Sequence, residues 1–355
     1  MQAASTNHFA AALTREGHGR QKIISMALNT ADILIIVATI PLTMVFAAML
    51  FHWRSALPVN VANDRSLHVG VVPRIGGLAM IAGITCALWI LDEVGTVLDP
   101  EFVLTLITAG LLALVSYLDD RHGLPVAVRL VAHVAAATLL IELLQVQLPI
   151  ALPLALVAVW ATNLFNFMDG ADGLAGGMAT IGFSAMGLAS ANVAPDLGIV
   201  CFVLAAAAAG FLTFNFPPAK IFMGDAGSVP MGFLTAALGL VGWTRNAWPL
   251  SFIPLVFFPF VADSTVTLVK RFIAGREVWH PHREHFYQRL VGLGCSHRKL
   301  VGLYYMMMIT CGGAALLSLT LSDVGKGIIW GGCCLITGFA MHRMDTRWKS
   351  FESGV

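Results

Sequence analysis

Asp119 and Asp120 stand side by side in the run Ser116-Tyr-Leu-Asp119-Asp120-Arg121-His122-Gly. Adjacent carboxylates repel, and near hydrocarbon each costs about 2.5–3.5 kcal/mol if misplaced. A bound cation or phosphate chemistry would offset that cost; a solvated helix end is the plainer alternative. Arg129 follows nine residues after Asp120, within reach of the same place, although a snorkelling arginine looks the same in sequence. A second run reads Asn163-Leu-Phe-Asn166-Phe-Met-Asp169-Gly-Ala-Asp172-Gly-Leu-Ala-Gly-Gly. Asn163, Asn166, Asp169 and Asp172 recur every three residues, which at helical spacing makes one polar face. Two amides and two acids are hard oxygen donors suited to magnesium. The glycines allow a ligand or a neighbouring helix close to the backbone.

A third run, Asn215-Phe-Pro-Pro-Ala-Lys220-Ile-Phe222-Met-Gly224-Asp225-Ala-Gly227-Ser228, sets an aspartate between glycines where a helix opens. Such a turn presents a carboxylate and leaves room for phosphate, and helix N-termini favour anions; a capping aspartate is the structural alternative. The fourth run is Trp279-His280-Pro-His282-Arg283-Glu284-His285-Phe-Tyr287-Gln288-Arg289. Arginine and histidine donors suit a pyrophosphate. Zinc is the rival for its three histidines, but no supporting cysteine or acid spacing accompanies them.

These runs must be held by a membrane bundle. Hydrophobic residues make up 57% of the 355 and charged residues 12%, with mean hydropathy +0.80; soluble domains carry about 25% charged residues. The net charge of +1 says nothing about nucleic acid, but no basic stripe with interleaved aromatics is present, and nucleic-acid binding is not expected. The six cysteines lack C-x-x-C spacing and read as small packing residues. Eleven stretches are apolar enough to span, some of them shorter than the usual length of about 20 residues: 31–51, 73–92, 101–118, 126–146, 149–163, 174–192, 197–215, 227–243, 248–269, 301–320 and 327–342. The first reads as a spanning helix rather than a signal peptide. The expected fold is all-α, a polytopic transmembrane bundle: a disordered tail over 1–30, one membrane-embedded domain over 31–342, and a cytoplasmic tail over 343–355.

Loop charge sets the orientation. With the amino terminus outside, the inner loops and the carboxyl tail carry sixteen of the 21 basic residues, seven of them between Lys270 and Lys299. The outer stretch from Asp92 to Glu101 has four acids and no base. All four chemical runs then fall on the cytoplasmic side, as a membrane enzyme with a cytosolic substrate requires.

Taken together and in this order, the runs resemble the polyprenyl-phosphate N-acetylhexosamine-1-phosphate transferases. The resemblance extends from about Asn63 to Arg289 and includes Asp64-Arg65-Ser66-Leu67-His68 and Pro73-Arg74-Ile-Gly76-Gly77. It implies that Asp119, Asp120 and Asp225 are catalytic, with Asp119 on the polyprenyl phosphate. It implies Asn166 and Asp225 as ligands of Mg²⁺, for which Mn²⁺ can substitute. Asp172, Asn215 and Phe222 match uracil contacts, and Asn163 and Asp169 group with them on the nucleotide side. Arg129, Arg283, His285 and His282 match phosphate-binding positions, and His68 and Arg74 a lipid or substrate loop. Tyr287-Gln288 stands where many relatives have consecutive histidines. That form looks most like the branch that starts bacterial O-antigen, a lipopolysaccharide component, rather than the peptidoglycan branch.

The implied reaction moves N-acetylhexosamine-1-phosphate from a UDP-sugar to undecaprenyl phosphate and releases UMP, in a bacterial inner membrane, with a homodimer possible. Two rivals come from other classes. A transporter often shows repeated halves and midplane sites; here there is no repeat and the acids cluster at one face. A CDP-alcohol phosphatidyltransferase needs Ala-Arg after its first Asp-Gly, where this chain has Leu174-Ala-Gly-Gly after Gly173.

Overall fold

The structure, a computed structural model, describes residues 29–53, 72–278 and 282–353. Among these residues it is entirely helical: α1 (Thr30–His52), α2 (Gly76–Glu93), α3 (Pro100–His122), α4 (Val126–Leu143), α5 (Leu148–Met168), α6 (Leu174–Ser190), α7 (Pro195–Asn215), α8 (Asp225–Thr244), α9 (Phe252–Val256), α10 (Phe258–Ile273), α11 (Phe286–Gly292), α12 (His297–Ser318) and α13 (Asp323–Glu352). Prolines sit in the first turns of α3, α5 and α7, where a missing N–H costs nothing. Gly123 closes α3 in the left-handed conformation (φ 66°).

Nine of these helices are long and apolar enough to cross a bilayer, and α6 is a shorter apolar helix. The expected span over 248–269 is the exception. It breaks at Phe257 into α9 and α10. Pro259 has no N–H for the carbonyl four residues back, which favours a break here, although α1, α5 and α8 run on through Pro41, Pro153 and Pro230. The stretch expected over 149–163 runs five residues further, to Met168, and carries Asn166 inside the helix. The last helix continues without interruption to Glu352.

Helix α8 is the axis of the bundle: every residue from Ala226 to Gly242 is buried. Helix α7 packs against α6, α1 and α2. Helix α13 lies on the outside, with Ile328, Leu335, Ile336 and Phe339 exposed. Exposed apolar side chains of this kind are what a lipid-facing surface requires.

Two glycines set the approach of α2 to α8. A Cβ on Gly77 would lie 2.3 Å from the Gly227 nitrogen, and one on Gly227 would lie 2.7 Å from the Gly77 Cα. At Gly77 the three nearest atoms are all backbone, so nothing flexible can yield there; at Gly227 the Met223 side chain also crowds the site, at 2.5 Å. The segment before α2 is also sewn to the loop before α8. Phe222 N donates to Pro73 O, Gly76 N to Phe222 O and Gly77 N to Met223 O, each at 2.9 Å. Gly77→Ala is therefore expected to destabilise the protein by about 1–3 kcal/mol or more, read as a lower thermal unfolding temperature in detergent. Wild-type stability in that variant would disprove the close approach.

The far end of the bundle is closed by charge. Arg245, at the end of α8, pairs with Asp99 and Glu101 at the start of α3 and with Asp196 at the start of α7. Its guanidinium also lies 4.8 Å from the centre of the Phe102 ring.

Candidate active site

The opposite end gathers the polar runs. Asp119 and Asp120 end α3, Arg129 lies in the first turn of α4, Asn166 and Asp169 end α5, and Asp225 begins α8. The alternation of helix direction brings all of these termini to one side.

Asp119 is held at both oxygens. Oδ1 accepts from Leu124 N at 2.7 Å and Oδ2 from Arg129 Nη1 at 3.0 Å. Asp120 turns the other way: its Oδ2 accepts from Asp225 N at 3.1 Å and its Oδ1 lies 3.7 Å from Arg74 Nη1. The two adjacent carboxylates therefore relieve their repulsion by taking different cationic partners. Asp225 is not a cap. Gly224 occupies the N-cap position with φ 72°, and no side chain caps the helix. The Asp225 carboxylate instead accepts from Asn166 Nδ2 at 3.2 Å. Ser228, one turn into α8, donates to Asn166 Oδ1 at 3.2 Å.

Asp169 completes the cluster. Burial first, then the negative charge of Asp225, raises its carboxyl well above the ordinary carboxylate range; Asp120 adds to the rise, while Arg74 and the Gly224 amide oppose it. The even spacing from Asn163 to Asp172 predicts one helical face, and the structure corrects this. Helix α5 stops at Met168, Asp169 is its C-cap, and Gly173 turns with φ 72°. Asp172 is thereby carried away from Asp169. It is buried, accepts from Ala219 N at 3.0 Å, and lies 3.8 Å from His297 Nδ1. Asn163 also leaves the cluster: its amide donates to Val159 O at 2.8 Å and contacts His133 Nδ1 of α4 at 3.2 Å.

Asn215 spends its amide on the backbone. Oδ1 accepts from Gly173 N and Nδ2 donates to Ile221 O, both at 2.9 Å. It pins the turn after α5 to the loop before α8, where Phe222 is half-buried. Asp172, Asn215 and Phe222 thus border one region, adjacent to the acid cluster but separate from it.

The fourth run docks on the same end. His285 is buried and its ring stacks on Phe167, with centroids 6.0 Å apart. His282 packs beside it at 4.9 Å. Tyr287 donates its hydroxyl to Phe167 O at 3.1 Å. Arg283 is exposed. His68 lies outside the described residues. Two residues of this end escape sequence reasoning. Ser228 is quoted in its run without a role, and Asp263 of α10 is buried beside His285. An ionisable residue within an apolar stretch was the available signal for Asp263.

No three His, Cys, Asp or Glu side chains among the described residues form a preassembled metal cage. The charge nevertheless fits a divalent cation. Asp119, Asp120, Asp169 and Asp225 lie within electrostatic reach of one another, and two guanidiniums, Arg74 and Arg129, face them. Burial and the charges of Asp225 and Asp120 raise the Asp169 carboxyl, and a cation bound beside it would offset that repulsion. Asp225 is the central carboxylate. Asn166 presents its NH₂ to Asp225, so ligation by its oxygen requires the amide to turn over.

The chain is similar in sequence to known proteins. A model of glycosyl transferase family 4 matches residues 102–242, from α3 to the end of α8. The chain is 31% identical over 303 residues to a decaprenyl-phosphate N-acetylglucosaminephosphotransferase of Mycobacterium tuberculosis, covering 72% of this chain and 75% of that one. It is 31% identical over 265 residues to an undecaprenyl-phosphate alpha-N-acetylglucosaminyl 1-phosphate transferase of Yersinia pestis (68% and 71%). It is 29% identical over 269 residues to a probable undecaprenyl-phosphate N-acetylglucosaminyl 1-phosphate transferase of Bacillus subtilis (70% and 74%).

Proposed function

This chain belongs to glycosyl transferase family 4, with the polyprenyl-phosphate N-acetylglucosamine phosphotransferases, and on that premise we propose that it transfers N-acetylhexosamine-1-phosphate from a UDP-sugar to polyprenyl phosphate and releases UMP. The observation that carries this reading is the convergence of four carboxylates and two arginines at one end of a membrane bundle.

The chemistry asks little of the protein beyond alignment and charge. A phosphate monoester has a second pKa near 6, so at neutral pH much of the lipid phosphate is already dianionic. Its oxygen attacks the β-phosphorus of the UDP-sugar, the bond to the UMP oxygen breaks, and UMP leaves. The protein must hold two anions in line and neutralise their repulsion. Arg129 faces the lipid phosphate with Asp119 orienting it. Arg74, paired to Asp120, serves the nucleotide side, and Arg283, His282 and His285 serve the pyrophosphate. Asp172, Asn215 and Phe222 shape the uracil region. Asp225 and Asn166 would hold Mg²⁺, which would supply positive charge to the phosphoryl oxygens. An O-antigen role follows only from the Tyr287-Gln288 form of the fourth run.

The donor is tested by incubating the purified protein with polyprenyl phosphate and a panel of radiolabelled UDP-sugars, then counting label in the organic phase. Label from an N-acetylhexosamine donor is expected there; transfer from none of the panel would overturn the reading.

We also place the acid cluster on the cytoplasmic side, because the basic residues concentrate on the loops at that end. Single cysteines at 119, 169 and 285 in a cysteine-free background should resist impermeant reagents added from outside. Labelling of any of the three from that side would reverse the topology.

A further inference from the structure

We propose that Asp263 is a positioning residue for sugar-phosphate transfer, its buried carboxylate fixing the turn that presents His285. Asp263 lies on α10 and is 1% exposed. Its Oδ1 accepts from Phe286 N at 2.9 Å and contacts His285 Nδ1 at 3.3 Å and Thr267 Oγ1 at 3.4 Å. Its Oδ2 accepts from Tyr287 N at 3.0 Å and from the Tyr304 hydroxyl at 2.7 Å. Among the described residues no arginine or lysine pairs with it. The carboxylate is held by neutral donors and one imidazole, drawn from α10, α12, the N-cap His285 and the first turn of α11.

A buried carboxylate is costly unless its oxygens are satisfied. Here the satisfaction comes chiefly from three consecutive residues, His285 to Tyr287, on a segment that follows a polar loop. The bond between the two parts is reciprocal. Asp263 needs those donors, and the first amides of α11 have no partner within their own helix. The same turn then touches the acid cluster's scaffold through Phe167, by the stacked His285 ring and the Tyr287 hydroxyl. Phe167 lies between Asn166 and Asp169. Asp263 thus sets where the turn sits relative to the end of α5. Its contact with the ring is at Nδ1, which leaves Nε2 as the ring's other polar atom. Partners of this kind behind a functional histidine typically matter by about 10–100-fold.

The proposal rests on the reading that His285 serves the pyrophosphate, so two variants and their combination are needed. The full-length protein in detergent is assayed with UDP-N-acetylglucosamine and polyprenyl phosphate. Asp263→Asn is expected to lower kcat/KM by about 10–100-fold. The same change made on top of His285→Ala should lower it less than about 2-fold further, because the group being positioned is already gone. Equal losses in both backgrounds would mean a general structural role and would overturn the proposal while leaving the reading of His285 intact. Wild-type activity in His285→Ala alone would overturn that reading and the proposal with it. An independent measurement needs no variant. Amide hydrogen exchange over residues 285–290 of the wild-type protein should be as slow as in the spanning helices. Exchange within seconds, as in an exposed loop, would contradict the clamp even if Asp263→Asn does not fold.

Discussion

Asp225→Asn is expected to reduce turnover by about 10³-fold or more while the protein stays folded. The substitution preserves shape and removes one negative charge from the centre of the cluster. Asp225 is the first residue of α8, with Gly224 as the cap, so the loss of about 1 kcal/mol that accompanies removal of a capping side chain is not expected. What changes is the electrostatic balance: the cluster has one carboxyl fewer, and the preference for a divalent cation weakens. A magnesium titration of the purified variant, with folding followed by thermal unfolding, measures this. A well-folded Asp225→Asn protein with normal magnesium dependence would remove the residue from the metal site. Asn166→Ala is the milder counterpart. It should raise the magnesium concentration needed for half-maximal activity, because the amide is the neighbour of the same carboxylate at 3.2 Å.

Asp119→Asn should lower turnover by about 10²–10⁴-fold, the range for a group that positions or deprotonates a reacting partner, with UDP-sugar binding unchanged. The geometry separates the two sides. Asp119 is tied to Arg129 and to the turn that follows α3, whereas Asp120 is tied to Arg74 and to the start of α8. An asparagine at 119 still accepts from Leu124 N but no longer balances the guanidinium. The loss should therefore fall on the lipid phosphate. Nucleotide binding by calorimetry, with no lipid present, checks this. A parallel fall in nucleotide affinity would assign Asp119 to the other substrate.

The physical reasons for what was readable are specific. Apolar length marks the spans because hydrocarbon leaves backbone groups no partner but their own helix. The asymmetry of basic residues groups Asp119, Asn166, Asp225 and His285 on one side, and the structure gathers those termini at one end. Regular spacing misleads where a helix stops. Asp172 continues the series from Asn163 in sequence, yet the break after Met168 sends it to Ala219 and His297. The break at Phe257 is similar, since hydropathy continues through Pro259 while the hydrogen bonding does not. Asp263 shows a third limit. Apart from Thr267 on the same helix, its donors come from residues 22 to 41 positions away, and no local pattern announces a tertiary clamp of that reach. The amide of Asn166 shows a fourth: sequence names a donor group, but only coordinates show that its NH₂, not its oxygen, faces Asp225.

Sugar-phosphate transfer differs from sugar transfer in one bond, and labelling that bond tests the proposed reaction most directly. The purified protein is given polyprenyl phosphate and a UDP-N-acetylhexosamine carrying ³²P at the β-phosphorus and ³H in the sugar. Both labels should enter the organic phase in equal molar amounts, with unlabelled UMP left in water. Tritium alone in the organic phase, with ³²P remaining in aqueous UDP, would contradict the proposed chemistry.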